Sequence, residues 1–117
     1  MRSGVCALIV TAGVSVAGTI VQWGDTSGGQ MNNLPTGDYF TQIDACGAHA
    51  VALRSTGVAE AWGSNWSGEG TDPSSGIHFS QVDAGSTFNF GIKVDGYLYQ
   101  WGDESFVIPP GYLTYQY

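Results

Sequence analysis

The chain is short of charge, and of positive charge above all. Arg2, Arg54 and Lys93 are its only basic side chains among 117 residues, against ten acidic ones, for a formal net charge of −7. Three scattered cations cannot neutralise a run of phosphates, so direct nucleic-acid binding has no electrostatic support. Attraction to an anionic membrane surface is disfavoured on the same ground. No apolar segment is long enough to cross a bilayer, so membrane insertion is not expected. The acids Asp25, Asp38, Asp44, Glu60 and Asp83 lie well apart and read as a solvated surface.

Cysteine is scarce as well. Cys6 and Cys46 are too few for a disulfide framework or a zinc site. In the internal alignment below they fall one position out of phase, which on strands of period two sends their side chains to opposite faces. The expectation is two small buried thiols rather than a mutual disulfide. Helix-period stretches are missing altogether. What is abundant is glycine, at 18 residues, and aromatic side chains, at 13%. That balance excludes a disordered chain and fits short strands joined by tight turns. The fold class is all-β.

The apolar stretch Val5 to Val16, preceded by Met1-Arg2 and followed by Ala17-Gly18, resembles a short secretory signal. The same stretch aligns with the internal repeat, and on that ground it is expected to be structural.

Trp23, Trp62 and Trp101 are 39 residues apart, and each is followed by glycine. Phe40-Thr41-Gln42-Ile43-Asp44-Ala45 recurs as Phe79-Ser80-Gln81-Val82-Asp83-Ala84, Leu53-Arg54 as Ile92-Lys93, and Gly57 as Gly96. The first copy is more diverged but keeps Gln22-Trp23-Gly24-Asp25 opposite Gln100-Trp101-Gly102-Asp103. Self-similarity at this period is the mark of a repeat architecture. The chain reads as one domain of three repeats, about 1–39, 40–78 and 79–117. Within the third copy, strands are expected over Phe79 to Ala84, Thr87 to Val94 and Tyr97 to Trp101. Asp95-Gly96 is expected to supply a two-residue hairpin turn. The last of these strands carries large groups on both faces and should be covered on both sides. The linkers Gly24 to Asp38 and Gly63 to His78 read as turns and irregular connections.

These residues resemble the repeat of the regulator of chromosome condensation family. The segments QVDAG, FNFGIKVDGYLYQWGD and WGSNWSGEG carry the likeness, with Glu69 where the family usually has glutamine. Gly28-Gly29-Gln30 keeps a shifted version in the first copy. The short period looks like the compact bacterial and phage members. The resemblance implies a β-propeller in which each repeat makes about one four-stranded blade. Trp-Asp propellers have a similar period, but here glycine always follows the tryptophan.

Three blades cannot close a ring that ordinarily needs roughly four to eight. Tyr112-Leu113-Thr114-Tyr115 resembles the opening strand of a repeat, Tyr39-Phe40-Thr41-Gln42, and so starts a further unit, while Met1-Arg2-Ser3-Gly4 is a poor strand. A homodimer of six blades, with the Tyr112 to Tyr117 strand completing a blade of the other copy, is one expectation. An assembly with other propeller-bearing subunits is the other.

The interface candidates are Trp66, His49, Phe88, Tyr112, Tyr115 and Tyr117. Trp66 is the one tryptophan outside the repeat and sits in a Gly/Ser-rich loop, where it either anchors a partner or staples the loop to its own sheet. Asn65-Trp66-Ser67 is also a glycosylation sequon. His49 aligns with Phe88 on the second strand of each unit, a position that lines a binding face or packs between blades. His78 reads as a surface residue. No nucleophile elbow and no phosphate-cradling loop is present, and the adjacent Asp103-Glu104 would point apart on a strand. The spacing of Asp25, Glu69 and Asp72 does not recommend a metal. Catalytic, cofactor and metal roles are therefore expected to be absent.

Family members include guanine-nucleotide exchange factors and a secreted β-lactamase inhibitor, so the fold does not fix the function. The long insertions of the former have no counterpart here, and the binding face of the latter would correspond only to His49 and Phe88. The expected function is a non-enzymatic module for protein binding and self-assembly. The alternative is a virion or surface structural protein built from the same repeat, in a soluble, virion or extracellular setting.

Overall fold

The computed structural model describes residues 8–11, 18–22, 27–29, 31–37, 39–103 and 113–116, the strands at 8–11 and 113–116 by backbone alone. Trp23-Gly24-Asp25, Cys6, Gln30, Asp38, Glu104, Tyr112 and Tyr117 lie outside the described residues. Every regular element described is a strand, so the fold is all-β.

Among the described residues, three sheets form in chain order. Strands β1 (Leu8–Thr11) and β2 (Thr19–Gln22) make the first. The second consists of β3 (Phe40–Cys46), β4 (His49–Arg54) and β5 (Ala59–Gly63). The third consists of β6 (Phe79–Ala84), β7 (Phe88–Lys93) and β8 (Leu98–Gly102), extended along β8 by β9 (Leu113–Gln116). Chain neighbours within each meander pair antiparallel, whereas β9 runs parallel to β8 with Leu98 opposite Leu113 and Tyr99 opposite Tyr115. The strand expected to open a further unit thus lies against its own third sheet.

Register links the second and third sheets. Phe40 pairs with Arg54 and Phe79 with Lys93, and 79 − 40 and 93 − 54 are both 39. Both ladders shift register at the same point, between Phe40 and Gln42 and between Phe79 and Gln81. That bulge puts Phe79 and Val82 on one face instead of opposite faces.

Residues directly opposite share a face, so the three antiparallel strands of the second and of the third sheet present rows of three residues. On the second sheet, Gln42–Leu53–Ala59 and Asp44–Val51–Ala61 look toward the third sheet, while Ala45–Ala50–Trp62 looks toward the first. On the third, Val82–Gly91–Tyr99 and Ala84–Asn89–Trp101 look back toward the second.

Two apolar layers result. One holds Ile20, Phe40, Ala50, Ala52 and Trp62 between the first and second sheets. The other holds Val51 and Leu53 under Phe79, Val82, Tyr99 and Trp101. Burying a side chain such as Leu53 or Phe79 contributes about 1.5–3 kcal/mol, so these layers hold the stack together. The Phe79 ring meets Tyr99 edge-on at 5.7 Å between centroids and lies 5.6 Å from Trp101. The two Trp-Gly pairs among the described residues each end a strand where the chain must leave at positive φ, +103° at Gly63 and +105° at Gly102. A side chain at Gly102 would also meet the Phe88 backbone at 2.9 Å.

The β7–β8 turn differs from its expectation. Lys93 N donates to Tyr97 O at 2.9 Å and Gly96 N to Lys93 O at 2.8 Å, with only Gly96 at positive φ. That is a three-residue loop, Val94 to Gly96, with glycine in the left-handed position. A two-residue type I′ turn would need positive φ at Asp95 as well. Arg54, Gly57 and Val58 make the corresponding bonds in the second sheet.

Candidate interaction face

Polar side chains fix how one sheet sits on the next. The Gln42 amide reaches β6, donating from Nε2 to Ser80 O at 3.0 Å and accepting at Oε1 from Val82 N at 3.3 Å. Two residues on, Asp44 Oδ2 accepts from Ala84 N at 2.8 Å. These bonds engage backbone groups that the β6–β7 ladder does not use, so they set the offset between the sheets without costing ladder bonds. Asp83 shares a hydrogen bond with Asp44, which raises its pKa above the ordinary aspartate value, and burial adds to the effect. Between the first and second sheets, Trp62 Nε1 donates to Gln22 Oε1 at 3.1 Å, and Gln22 Nε2 donates to Met31 O at 2.8 Å.

His49 lies inside the contact between the second and third sheets, with 0% exposure. Its Nε2 is 2.8 Å from Asn89 Oδ1, and Asn89 Nδ2 donates to Glu69 O at 2.8 Å. Burial lowers its pKa, against the raising effect of the Asn89 bond and the nearby carboxylates of Glu69 and Asp44. Of the two aligned positions, then, His49 packs between sheets, while Phe88 is half-buried on the far face of the third sheet, edge-on to Phe90 at 5.0 Å.

Trp66 is 94% exposed, on a loop that is held firmly. Asn65 Oδ1 accepts from Gly70 N at 2.9 Å and Thr71 Oγ1 at 3.0 Å, and Glu69 Oε1 accepts from Ser67 N at 2.7 Å. Glu69 is itself buried. The loop is thus stapled by its polar residues, and the indole is left in solvent. Tyr115 has a place in β9 opposite Tyr99. His78 is exposed, as the sequence suggests.

The third sheet ends the stack with an open groove of about 320 Å³ lined by Gln81, Asp83, Phe90, Ile92 and Leu98. On the outward face of β8, Gln100 is buried and Leu98 half-buried, so the strand is covered fully on the side of the second sheet and in part on the other. Among the described residues, no cluster of three or more His, Cys, Asp or Glu side chains could hold a metal ion. Cys46 is a free, half-buried thiol.

Sequence reasoning passed over Gln42, Asp44 and Asn89. The one signal for Gln42 and Asp44 was the recurrence of Gln-x-Asp-Ala at 42–45 and 81–84, which marks the alignment without saying what the side chains bind, and Asn89 had no signal. No protein-family model matches the chain, and no curated protein matches it.

Proposed function

We propose that the chain is a β-propeller module of the regulator of chromosome condensation type, which acts by binding protein, itself included, and carries no catalytic chemistry. The observation behind this reading is the groove on the outward face of the third sheet. Phe90, Ile92 and Leu98 line an open groove there. The corresponding Val51, Leu53 and Ala59 of the second sheet are buried beneath the next sheet. Apolar side chains left along such a groove are surface that association removes from water. Sedimentation at micromolar concentration tests the reading. The protein should run at twice the 12.3 kDa chain mass. A stable monomer in dilute solution would contradict self-assembly.

A second reading, a virion or surface structural subunit, draws on Trp66. A rigid loop that holds an indole in solvent, away from the sheet faces, suits a contact with a different protein. Purification separates the two. A closed self-assembly persists alone, whereas a subunit of a mixed assembly stays soluble only with its partner.

A further inference from the structure

The outward face of the third sheet repeats, row for row, a face that this chain already covers once. On the second sheet the row Gln42–Leu53–Ala59 lies under the third sheet. Thirty-nine residues on, Gln81–Ile92–Leu98 forms the same row on the outward face of the third sheet, with Gln81 exposed and Ile92 and Leu98 half-buried along the groove. Gln42 uses its amide to fix the incoming β6 backbone. Gln81, the same residue type in the same row, is exposed. Asp44 accepts a backbone N–H of β6, and Asp83 is exposed at the corresponding place.

On β2, Ile20 is buried against the second sheet, so Val21 points the opposite way, and it is 44% exposed. Val21 occupies the position of Tyr99, since 99 − 21 is 78, twice the repeat. In the internal contact Tyr99 belongs to the core layer that also holds Ala59. At the two ends of the stack the sizes are exchanged, with Leu98 at the Ala59 position and Val21 at the Tyr99 position. A large-small pair is replaced by one of exchanged sizes, which is how facing layers keep their packing.

We propose that a second copy of this chain docks head to tail, the first sheet of each copy on the third sheet of the other, so that two equal contacts close a pair. The proposal rests on the self-assembly reading above and adds its geometry. Gln81 and Asp83 set the offset, as Gln42 and Asp44 do inside the chain. Leu98 meets the Val21 end of the other copy. Two copies bring six sheets, within the range of roughly four to eight over which such rings close. A two-fold axis relates the contacts, which leaves no open end for further growth.

Paired charge variants test this. Leu98→Lys and Val21→Glu each place a charge at one end of the stack. Each alone should sediment as a monomer while keeping the wild-type circular dichroism spectrum. An equimolar mixture of the two should recover the dimer. The mixed pair has one contact with neither substitution and one in which the two opposite charges meet. A milder variant, Gln81→Ala, should weaken dimerisation by about tenfold or more, in line with two lost hydrogen bonds per contact. A wild-type monomer overturns both this proposal and the self-assembly reading. A dimer broken by Leu98→Lys but untouched by Val21→Glu overturns only the head-to-tail closure, because it would mean that two third sheets meet face to face. Failure of the mixture to recover the dimer also overturns it.

Discussion

His49 and Asn89 meet at 2.8 Å across the contact between the second and third sheets, and neither has any exposed surface. The bond joins a residue of the second sheet to a residue of the third, and Asn89 extends it to the backbone of the Trp66 loop through Glu69 O. Asn89→Ala removes both bonds and leaves a buried carbonyl and an imidazole N–H to find other partners. We expect a loss of about 1–3 kcal/mol in urea unfolding. A loss below about 0.5 kcal/mol would mean that the bond does not tie the sheets together.

The same histidine gives the fold a pH dependence. Its folded pKa lies below the ordinary value of 6.5, because burial disfavours the charged ring. The native state therefore resists protonation that the unfolded chain accepts. Stability from this source is complete above pH 6.5 and is lost as pH falls below it, by at most about 1.4 kcal/mol per unit. The pKa values of Asp83 and Asp72 are raised, Asp72 chiefly by burial. They work the other way at lower pH, since the folded state then takes up protons first. Urea unfolding at pH 7.5 and 5.5 should show the wild type weakened at the lower value and His49→Gln weakened much less. Equal slopes in the two proteins would assign the effect elsewhere.

Gly91 sits in the middle of β7, directly under the Phe79 ring. A Cβ there would come within 2.4 Å of that ring, which is already held against Tyr99 and Trp101. Gly91→Ala should therefore cost about 1–3 kcal/mol by overpacking, even though alanine suits a strand better than glycine. Thermal melts read this directly, and an unchanged melting temperature would show that Phe79 can move aside.

Trp66 should contribute nothing to folding. Trp66→Ala should change stability by no more than about 0.5 kcal/mol, as for an exposed surface site. It should also lower the fluorescence that acrylamide quenches, since Trp62 and Trp101, the other tryptophans among the described residues, are buried. A large loss of stability would place the indole against its own sheets in solution.

Much of this fold is written in local pattern. Period-two alternation places β3, β6 and β7, and the Trp-Gly spacing marks where β5 and β8 end, because only glycine leaves those strands easily at positive φ. Asp95-Gly96 signals a hairpin but not its length. The same dipeptide serves a two-residue or a three-residue loop, and Gly96 alone has positive φ. The parallel partner of β9 was not legible either, since four residues hold no record of which edge they will meet. The sheet-to-sheet bonds of Gln42 and Asp44 run to backbone atoms about 40 residues away, and no composition or periodicity encodes them. His49 could be read as lining a face or as packed, and burial with Asn89 decides between the two.

A crystal structure of the purified protein measures the central claim most directly, by counting the sheets around one axis. The account predicts six, from two copies, with Leu98 of each copy packed on the Val21 end of the other and Gln81 bonded to its backbone. An isolated three-sheet chain, with the groove of Phe90, Ile92 and Leu98 open to solvent, would contradict it.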